Sequence, residues 1–556
     1  MKKSMAAGLA ALAVLLPAAE QNSPLAPCVN NKKIITLGFS SLNTRELRNH
    51  VDIAEKYIPA DGMVIHMNVN VTVDGKPFQA SRHTVFKGVA WKREWFKEAE
   101  ADLKATRFRQ FTDNFLYIAT SGYNSNLFDD RYWETICHNA GILADIAKKN
   151  GLKGIFLDIE HYGGTKLWPV FKFDPKGGKS FAECQQQARK RGREMMRAIA
   201  KAYPDITMVA VLGSYSINFP ALDSPDLNGW LQDELYGLSP AFFDGMFDEL
   251  PPQGRLYDGT EFHGYMASGP NDYRLIAHNF LTKTPFLCAP ELRTKVMAQS
   301  GLAAAMYMEC YTNKKGFWRL NSPHMDQVTL FRRNLNAALE ASSAYTWIYY
   351  DAAAKWYPIK LGKVYEQILE KNGGGKARLW SELLPGLENA MLAARNPLDY
   401  ARRQMKDGKA KLVRKVDFED GELNMVPWNS QSQKAGKISV DKTQGASGKA
   451  SASLVGVKSG SVHFVVPVKP GELYLLRAKA RNFRPESKLS LSGKLDSIWT
   501  KETGFFNPDT NGWMQAETAI FVPDEAEQLT VICGATSCTE AGSDCRFDDI
   551  ELYLIP

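Results

Sequence analysis

The sequence predicts an α/β chain in which a (β/α)8 barrel, the TIM barrel fold, is followed by an all-β jelly-roll sandwich. Three observations predict it. Eight strand-like apolar runs alternate with helical patterns between residue 34 and about residue 351. The long helical periodicity stops near Val413, where Ser, Gly, Lys and short alternating runs of Val and Leu take over. A length of 556 residues accommodates one large barrel with its closing helices and one smaller module.

The chain opens on MKKSMAAGLAALAVLLPAAEQ, two lysines followed by an apolar run from Met5 to Leu16 and then small residues. This is the pattern of a secretory signal peptide over residues 1–19, and it predicts export to the periplasm, the cell surface or the medium. The run is shorter than the ~18 residues a membrane-spanning helix needs, and no other segment reaches that length. Leu25-Ala26-Pro27-Cys28 loosely resembles a lipoprotein box, which makes a lipid on Cys28 the alternative route to the surface; Pro27 argues against it.

The eight strand-like runs are Ile34–Leu42, Met63–Val71, Phe115–Ser121, Gly154–Tyr162, Thr207–Tyr215, Arg255–Tyr265, Ala303–Tyr311 and Tyr345–Asp351. Their continuous apolar character fits a parallel sheet covered on both faces. Helical patterns separate them at Thr44–Tyr57, Lys92–Ala105, Asp130–Lys149, Phe181–Tyr203 and Met325–Ala341. The barrel with its closing helices spans 30–410 and the sandwich 413–556. An open doubly wound sheet is the rival fold, weakened because no GxGxxG or GxxxxGK follows the first strand.

Composition excludes several classes. Apolar residues at 44% and charged residues at 23% exclude wholesale disorder. The net charge of +7 is spread thinly with no long basic run, so nucleic acid is not the expected partner. Eight cysteines are scattered without CxxC spacing, which argues against a zinc site. Cys533, Cys538 and Cys545 are close enough in sequence for one local disulfide in an oxidising compartment. There is no HExxH and no GxSxG elbow, so neither a zincin nor a Ser-His-Asp hydrolase is indicated.

Barrel chemistry sits at the C-terminal ends of the strands. The fourth run, Gly154-Ile155-Phe156-Leu157-Asp158-Ile159-Glu160-His161-Tyr162, places two carboxylates two residues apart, on one face of a strand. Close carboxylates in a low-dielectric mouth push each other's pKa apart, as acid/base chemistry requires. The seventh run, Ala303–Tyr311, carries Glu309 near its end, with Tyr307 and Tyr311 on the same face by alternation. Around them the strand ends supply Asn68, Tyr162, Tyr215, Glu261, His263, Trp347 and Asp351. Aromatic faces stack on sugar rings, and amides and carboxylates bind hydroxyls. This mixture makes a glycan the expected ligand.

On these residues the chain resembles the secreted barrel glycoside hydrolases of the large clan A type. The resemblance implies that Glu160 is the acid/base and Glu309 the nucleophile of a retaining reaction. It departs from that clan in having Ile159 where an Asn usually precedes the acid. The ending Asp158-Ile159-Glu160 also resembles the chitinase-like barrels, which implies Glu160 as the acid, Asp158 as the group orienting an acetamido substituent, and Glu309 as a binding residue. Neither resemblance implies a catalytic cofactor. The C-terminal module, opening Val416-Asp417-Phe418-Glu419-Asp420-Gly421 and closing Cys545-Arg546-Phe547-Asp548-Asp549, resembles carbohydrate-binding jelly rolls. There Glu419 and Asp548 would hold a structural Ca2+, and Trp428, Trp499 and Trp513 would form a sugar platform. The rival functions are a non-catalytic glycan-binding protein on a degenerate barrel and a metal-dependent hydrolase or deacetylase. The stretch from about 216 to 254 is expected to be a long loop and the specificity element.

Overall fold

The computed structural model describes residues 31–120, 126–162, 168–430, 436–483, 488–500, 503–506, 512–538 and 544–556, with Leu25, Pro27 and Cys28. The expected signal peptide lies outside the described residues. Among the described residues no helix is long and apolar enough to cross a membrane.

The architecture is mixed α/β, with parallel strands in the first part and antiparallel sheets in the second. The parallel strands are β1 (Lys33–Gly38), β2 (Gly62–Met63), β3 (Phe115–Ala119), β4 (Gly154–Asp158), β5 (Thr207–Ala210), β6 (Arg255–Asp258), β7 in two pieces (Ser300–Leu302 and Ala304–Tyr307) and β8 (Tyr345–Tyr350). One sheet runs from β3 through β4, β5 and β6 to the first piece of β7. The other joins the second piece of β7 to β8, β1 and β2. A parallel bridge from Val64 to Phe115 connects β2 to β3. Inside, Phe115, Phe156, Val209, Tyr345 and Trp347 pack as one apolar cluster.

The helices follow their sequence signals. Helix Phe181–Ala202 starts on a capping box, in which Ser180 Oγ accepts from Glu183 N–H and Glu183 accepts from Ser180 N–H. It crosses helix Ser239–Glu249, within the stretch expected to be a loop, at very close range. A Cβ on Gly192 would lie 1.9 Å from the Phe242 carbonyl oxygen, and one on Gly245 would lie 1.9 Å from that of Arg189. Gly245→Ala therefore has to push the two helices apart. We expect it to destabilise the fold by about 1–3 kcal/mol, read as a lower urea midpoint at unchanged slope.

Each strand stops sooner than its apolar run suggested. The backbone beyond β5 and β6 is captured by one buried carboxylate rather than by the ladder. Asp258 accepts the N–H groups of Tyr215, Ser216 and Thr260 at 3.0, 3.1 and 3.1 Å, and the Ser216 hydroxyl at 2.6 Å. The expected second strand also breaks, into β2 and the hairpin Val69–Val73/Lys76–Ala80. That hairpin delivers the short 3-10 helix Arg82–Thr84 to the strand ends.

Two antiparallel sheets then enclose a second core that includes Phe418, Leu454, Leu476, Leu491, Val531 and Phe547. Strand Lys411–Val416 pairs with Cys545–Ile555, so this unit begins at Lys411. Its first sheet turns Leu473, Leu475, Ala519 and Ile555 outward against Ala393, Tyr400 and Ala401 of the last helices of the α/β unit. Arg402 and Glu517 pair across this junction at 2.7 Å. The second sheet carries Trp428 on one edge strand and Trp499 on the other, 50% and 57% exposed. Trp513 is half-buried.

Cys28 is buried with its sulfur 3.9 Å from an Asp61 oxygen, and burial pushes its thiol up to about 12. Cys184, Cys288, Cys310 and Cys533 are buried free thiols. Of the three cysteines among which one local disulfide is expected, Cys538 has a side chain that lies outside the described residues.

Candidate active site

The site is built on the end of β4. Asp158 closes that strand, almost fully buried. One of its oxygens accepts the Tyr117 hydroxyl of β3 at 2.6 Å, and the other accepts the Glu160 N–H at 2.8 Å. The bond to its own neighbour fixes the direction in which Glu160 leaves the strand. Glu160 is half-buried and accepts the hydroxyl of Tyr162, an exposed side chain.

Glu261 comes from the next turn but one around the sheet. After β6 the chain passes through Gly259, where a Cβ would lie 2.5 Å from the carbonyl oxygens of Ala210 and Val211. Thr260 then adopts a left-handed conformation with φ of 45°, a strained state for a β-branched residue. The Asp258 carboxylate holds its N–H there. This turn starts the short helix Glu261–Tyr265, and Tyr265 donates its hydroxyl to Glu261 at 3.0 Å.

Burial is the main force on all three carboxyls. It raises Asp158, against the lowering effect of its bonds from Tyr117 and Glu160. It pushes Glu160 up to about 7, helped by the negative charge of Asp158. It lifts Glu261 well above the ordinary carboxylate range, helped by the charges of Asp158 and Glu160. The three groups therefore share fewer than three charges near neutral pH.

Arg82 supplies a nearby cation that favours the ionised form of Asp158. Its guanidinium lies 4.9 Å from the centre of the Tyr117 ring. Its Nε donates to His83 at 2.8 Å, and Nη1 contacts His66. Burial and the Arg82 charge hold His66 well below its ordinary value, so its imidazole is the neutral acceptor of this pair. Asn68 is exposed and lines a small cavity with His66 and Glu46. Arg82 was not legible as a site residue, since it arrives from a hairpin outside the strand pattern. Tyr117 carried a weak signal, as the one phenol inside the third apolar run.

Glu309 comes from another element, and its charge and that of Glu261 both act on Tyr307 and Tyr349. β7 ends at Tyr307, and Met308–Tyr311 is a 3-10 helix, so the alternation that put Tyr307, Glu309 and Tyr311 on one face does not hold. Glu309 Oε1 accepts the N–H groups of Asp351 and Ala353 at 2.9 and 3.4 Å, while Oε2 is buried without a hydrogen-bond partner. Burial pushes this carboxyl up to about 7, and the charge acting on it is that of Asp351. It lines a cavity of about 420 Å³ with Asp351, Asn313, Asn372 and Arg378. The structure thus gathers Asp158, Glu160 and Glu261, and turns Glu309 onto the loop after β8.

Three expected binding residues are packing groups. Tyr215 is fully buried, with its hydroxyl on Asp244 at 3.0 Å and its ring stacked on Phe247. Tyr311 is buried against Phe331 and accepts from Asn334 at 3.0 Å. Trp347 is fully buried and donates to the Gly259 carbonyl at 3.0 Å, beneath the strained turn. The first two lie beyond their strand ends, where period-two alternation no longer applies. Tyr307 stays half-buried in a cluster with Tyr265, Tyr349 and Trp318. His263 lies 3.1 Å from the Ser216 carbonyl oxygen, and its ring stacks on Phe219.

In the antiparallel unit Glu419 accepts the N–H groups of Lys449 and Ala450 at 2.9 and 2.8 Å, and Asp548 those of Ala446 and Asp549 at 2.6 and 2.7 Å. Carboxylates aimed at N–H donors do not form an oxygen cage, so these residues do not fit a Ca2+ ion. Among the described residues no group of three His, Cys, Asp or Glu could hold a metal.

Fold and site define an α/β protein with an acidic cluster at its parallel strand ends, joined to an antiparallel two-sheet unit. No protein-family model and no curated protein matches the chain. The solved structures similar to it include many carbohydrate-binding modules and some glycoside hydrolases. The structure of TmCBM61 in complex with beta-1,4-galactotriose is 16% identical over 25% of this chain and 94% of its own, with a TM-score of 0.21. The Stig cyclase Fisc from Fischerella sp. TAU is 10% identical over 26% of this chain and 89% of its own, at 0.21. Arabinose-bound MgGH51 α-L-arabinofuranosidase is 12% identical over 26% of this chain and 27% of its own, at 0.20.

Proposed function

We propose that the chain is an exported glycoside hydrolase whose eight parallel strands form a (β/α)8 barrel, acting on an extracellular glycan. The observation that carries this reading is the clustering of Asp158, Glu160 and Glu261 at the strand ends, with Glu160 half-buried and still holding its proton up to about pH 7. Glycosidic cleavage needs one carboxyl that gives a proton and one that is ionised. Glu160 protonates the leaving oxygen. Glu261 is the second carboxyl: burial is the larger force on it, and of the two charges that raise it the one on Glu160 is removed while Glu160 keeps its proton. Asp158, pinned by Tyr117, aims Glu160 through its N–H.

Screening the protein on arrayed plant and host glycans with mass-spectrometric readout tests the reading. Glu160→Gln and Glu261→Gln should each lose product formation. If no glycan is cleaved by the intact protein, the reading fails. The anomer released, followed by NMR, then fixes the mechanism: carboxyls about 5–5.5 Å apart retain configuration, and about 6.5–9.5 Å inverts it.

Glu309 separates this assignment from the one drawn from strand position. Gln at 309 can still accept the Asp351 and Ala353 N–H groups, so Glu309→Gln should keep kcat within about tenfold, against the ~10²–10⁴-fold loss expected for an acid/base group. A loss as deep as that of Glu160→Gln would return Glu309 to the chemistry. A purely glycan-binding role is the second reading, favoured by the exposed Trp428 and Trp499 on the edges of the outer sheet. Tight glycan binding with no cleavage by the intact protein would establish it.

A further inference from the structure

Beside Glu261 an unbroken run of aromatic rings leads from solvent to the carboxyl cluster. Phe262 follows Glu261 in its helix and is 46% exposed; Phe317, on the loop after β7, is 62% exposed. Their rings lie 6.4 Å apart at 29°. Trp318 stands edge-on to both, at 6.1 and 4.9 Å. It continues the run to Tyr265 and Tyr307, each at 5.8 Å. Tyr265 in turn holds Glu261 through its hydroxyl.

The loop is shaped to present these rings. Gly316, with φ of 102°, turns the chain before Phe317. The Asn313 side chain donates to the Trp318 carbonyl at 2.7 Å, and Leu320 N–H returns to Cys310 at 2.8 Å. Single exposed apolar residues are ordinary, but a stacked exposed pair joined to an acidic cluster is a patch that calls for a ligand. The same loop, residues 312–319, carries Lys314, Lys315 and Arg319, all exposed, and no acid.

We propose that Phe262, Phe317 and Trp318, with Lys314, Lys315 and Arg319 at their rim, form a subsite for an anionic pyranose ring of the substrate glycan. The rings take the apolar face of the sugar. The cations offset the repulsion that a carboxylate or sulfate on that sugar would otherwise meet near the carboxyl cluster. This rests on the hydrolase reading of the adjoining site and narrows its substrate to acidic glycans.

The test is calorimetric titration of the Glu160→Gln protein with hexaoses: oligogalacturonate for carboxylate, a carrageenan hexaose for sulfate, cellohexaose and chitohexaose as neutral probes. At least one anionic probe should bind about tenfold or more tighter than either neutral one, and the arm that does so names the anionic group. Phe262→Ser/Phe317→Ser should weaken that probe about tenfold, while Phe262→Tyr/Phe317→Tyr retains it. Lys314→Gln/Lys315→Gln/Arg319→Gln should weaken it and flatten its salt dependence. Equal affinity for neutral probes, undiminished binding by the Ser variant, or binding of none of the four overturns the subsite. Product analysis of the unsubstituted protein separates the two readings. Tight anionic binding without cleavage sinks the hydrolase and leaves the subsite, whereas cleavage with unaltered affinity in the Ser variant does the reverse.

Discussion

Glu160→Gln lowers kcat/KM by about 10²–10⁴-fold, the worth of a general acid. The loss arises because Gln keeps the shape and the bond from Tyr162 but has no proton to give. The pH profile carries the same information. Burial and the charge of Asp158 hold the Glu160 carboxyl up to about 7, so the donor is loaded below that pH and lost above it. Activity should fall as pH rises through about 7, and the residual activity of Glu160→Gln should lack that descending limb. A wild-type profile flat from pH 6 to 9 would remove Glu160 from the acid role. Stability gives an independent reading of the same proton. An unfolded chain ionises this carboxyl near its ordinary 4.5, while the folded chain holds it to about 7. The folded state therefore binds more protons between those values and loses stability as pH rises across that window. Glu160→Gln should raise the melting temperature at pH 8 by more than at pH 4.

The second large effect concerns the fold. Arg395→Leu should destabilise the protein by about 3–5 kcal/mol, the cost of removing the close partner of a buried charge, which then keeps only Lys33 at 3.8 Å as a cation. Arg395 and Asp61 are both almost fully buried and meet through two bonds, at 2.7 and 2.9 Å. Asp61 also accepts the Ile34 N–H of β1 at 2.7 Å. The pair therefore fastens the first strand to the closing helix Leu387–Arg395, across more than 330 residues of chain. Urea midpoints measure the loss. The double variant Asp61→Leu/Arg395→Leu should recover part of it, because no charge is then left buried. A double variant less stable than either single one would show that the pair's geometry, rather than charge compensation, is what matters there.

Neither Asp61 nor Arg395 stands out in the sequence, because nothing local marks two residues so far apart as partners. Asp158 and Glu160 were legible because the apolar run Gly154–Leu157 leads directly into them, and an acid at the end of a buried strand has few other places to go. Glu261 was visible as a polar residue near a strand end, but its weight in the site was not. That weight comes from the left-handed turn at Thr260, which the buried Asp258 stabilises through contacts from two strands. Glu309 looked equivalent to Glu160 by strand position. The chain leaves its strand after Tyr307, four residues earlier than the apolar pattern suggests, and one turn of 3-10 helix redirects the carboxyl.

By itself the sequence determined the alternation of parallel strands and helices, the change to antiparallel sheet near residue 413, and the acid pair at the end of the fourth strand. Those follow from hydrophobic periodicity, which acts over a few residues at a time. The tertiary structure alone decided which third carboxyl joins that pair, that Arg82 and Tyr117 attend it, that Tyr215, Tyr311 and Trp347 are core, and that Phe262 and Phe317 meet at the surface. Each of these depends on where a strand stops, and the stopping point is set by hydrogen bonds and packing from distant segments rather than by the residues of the strand itself.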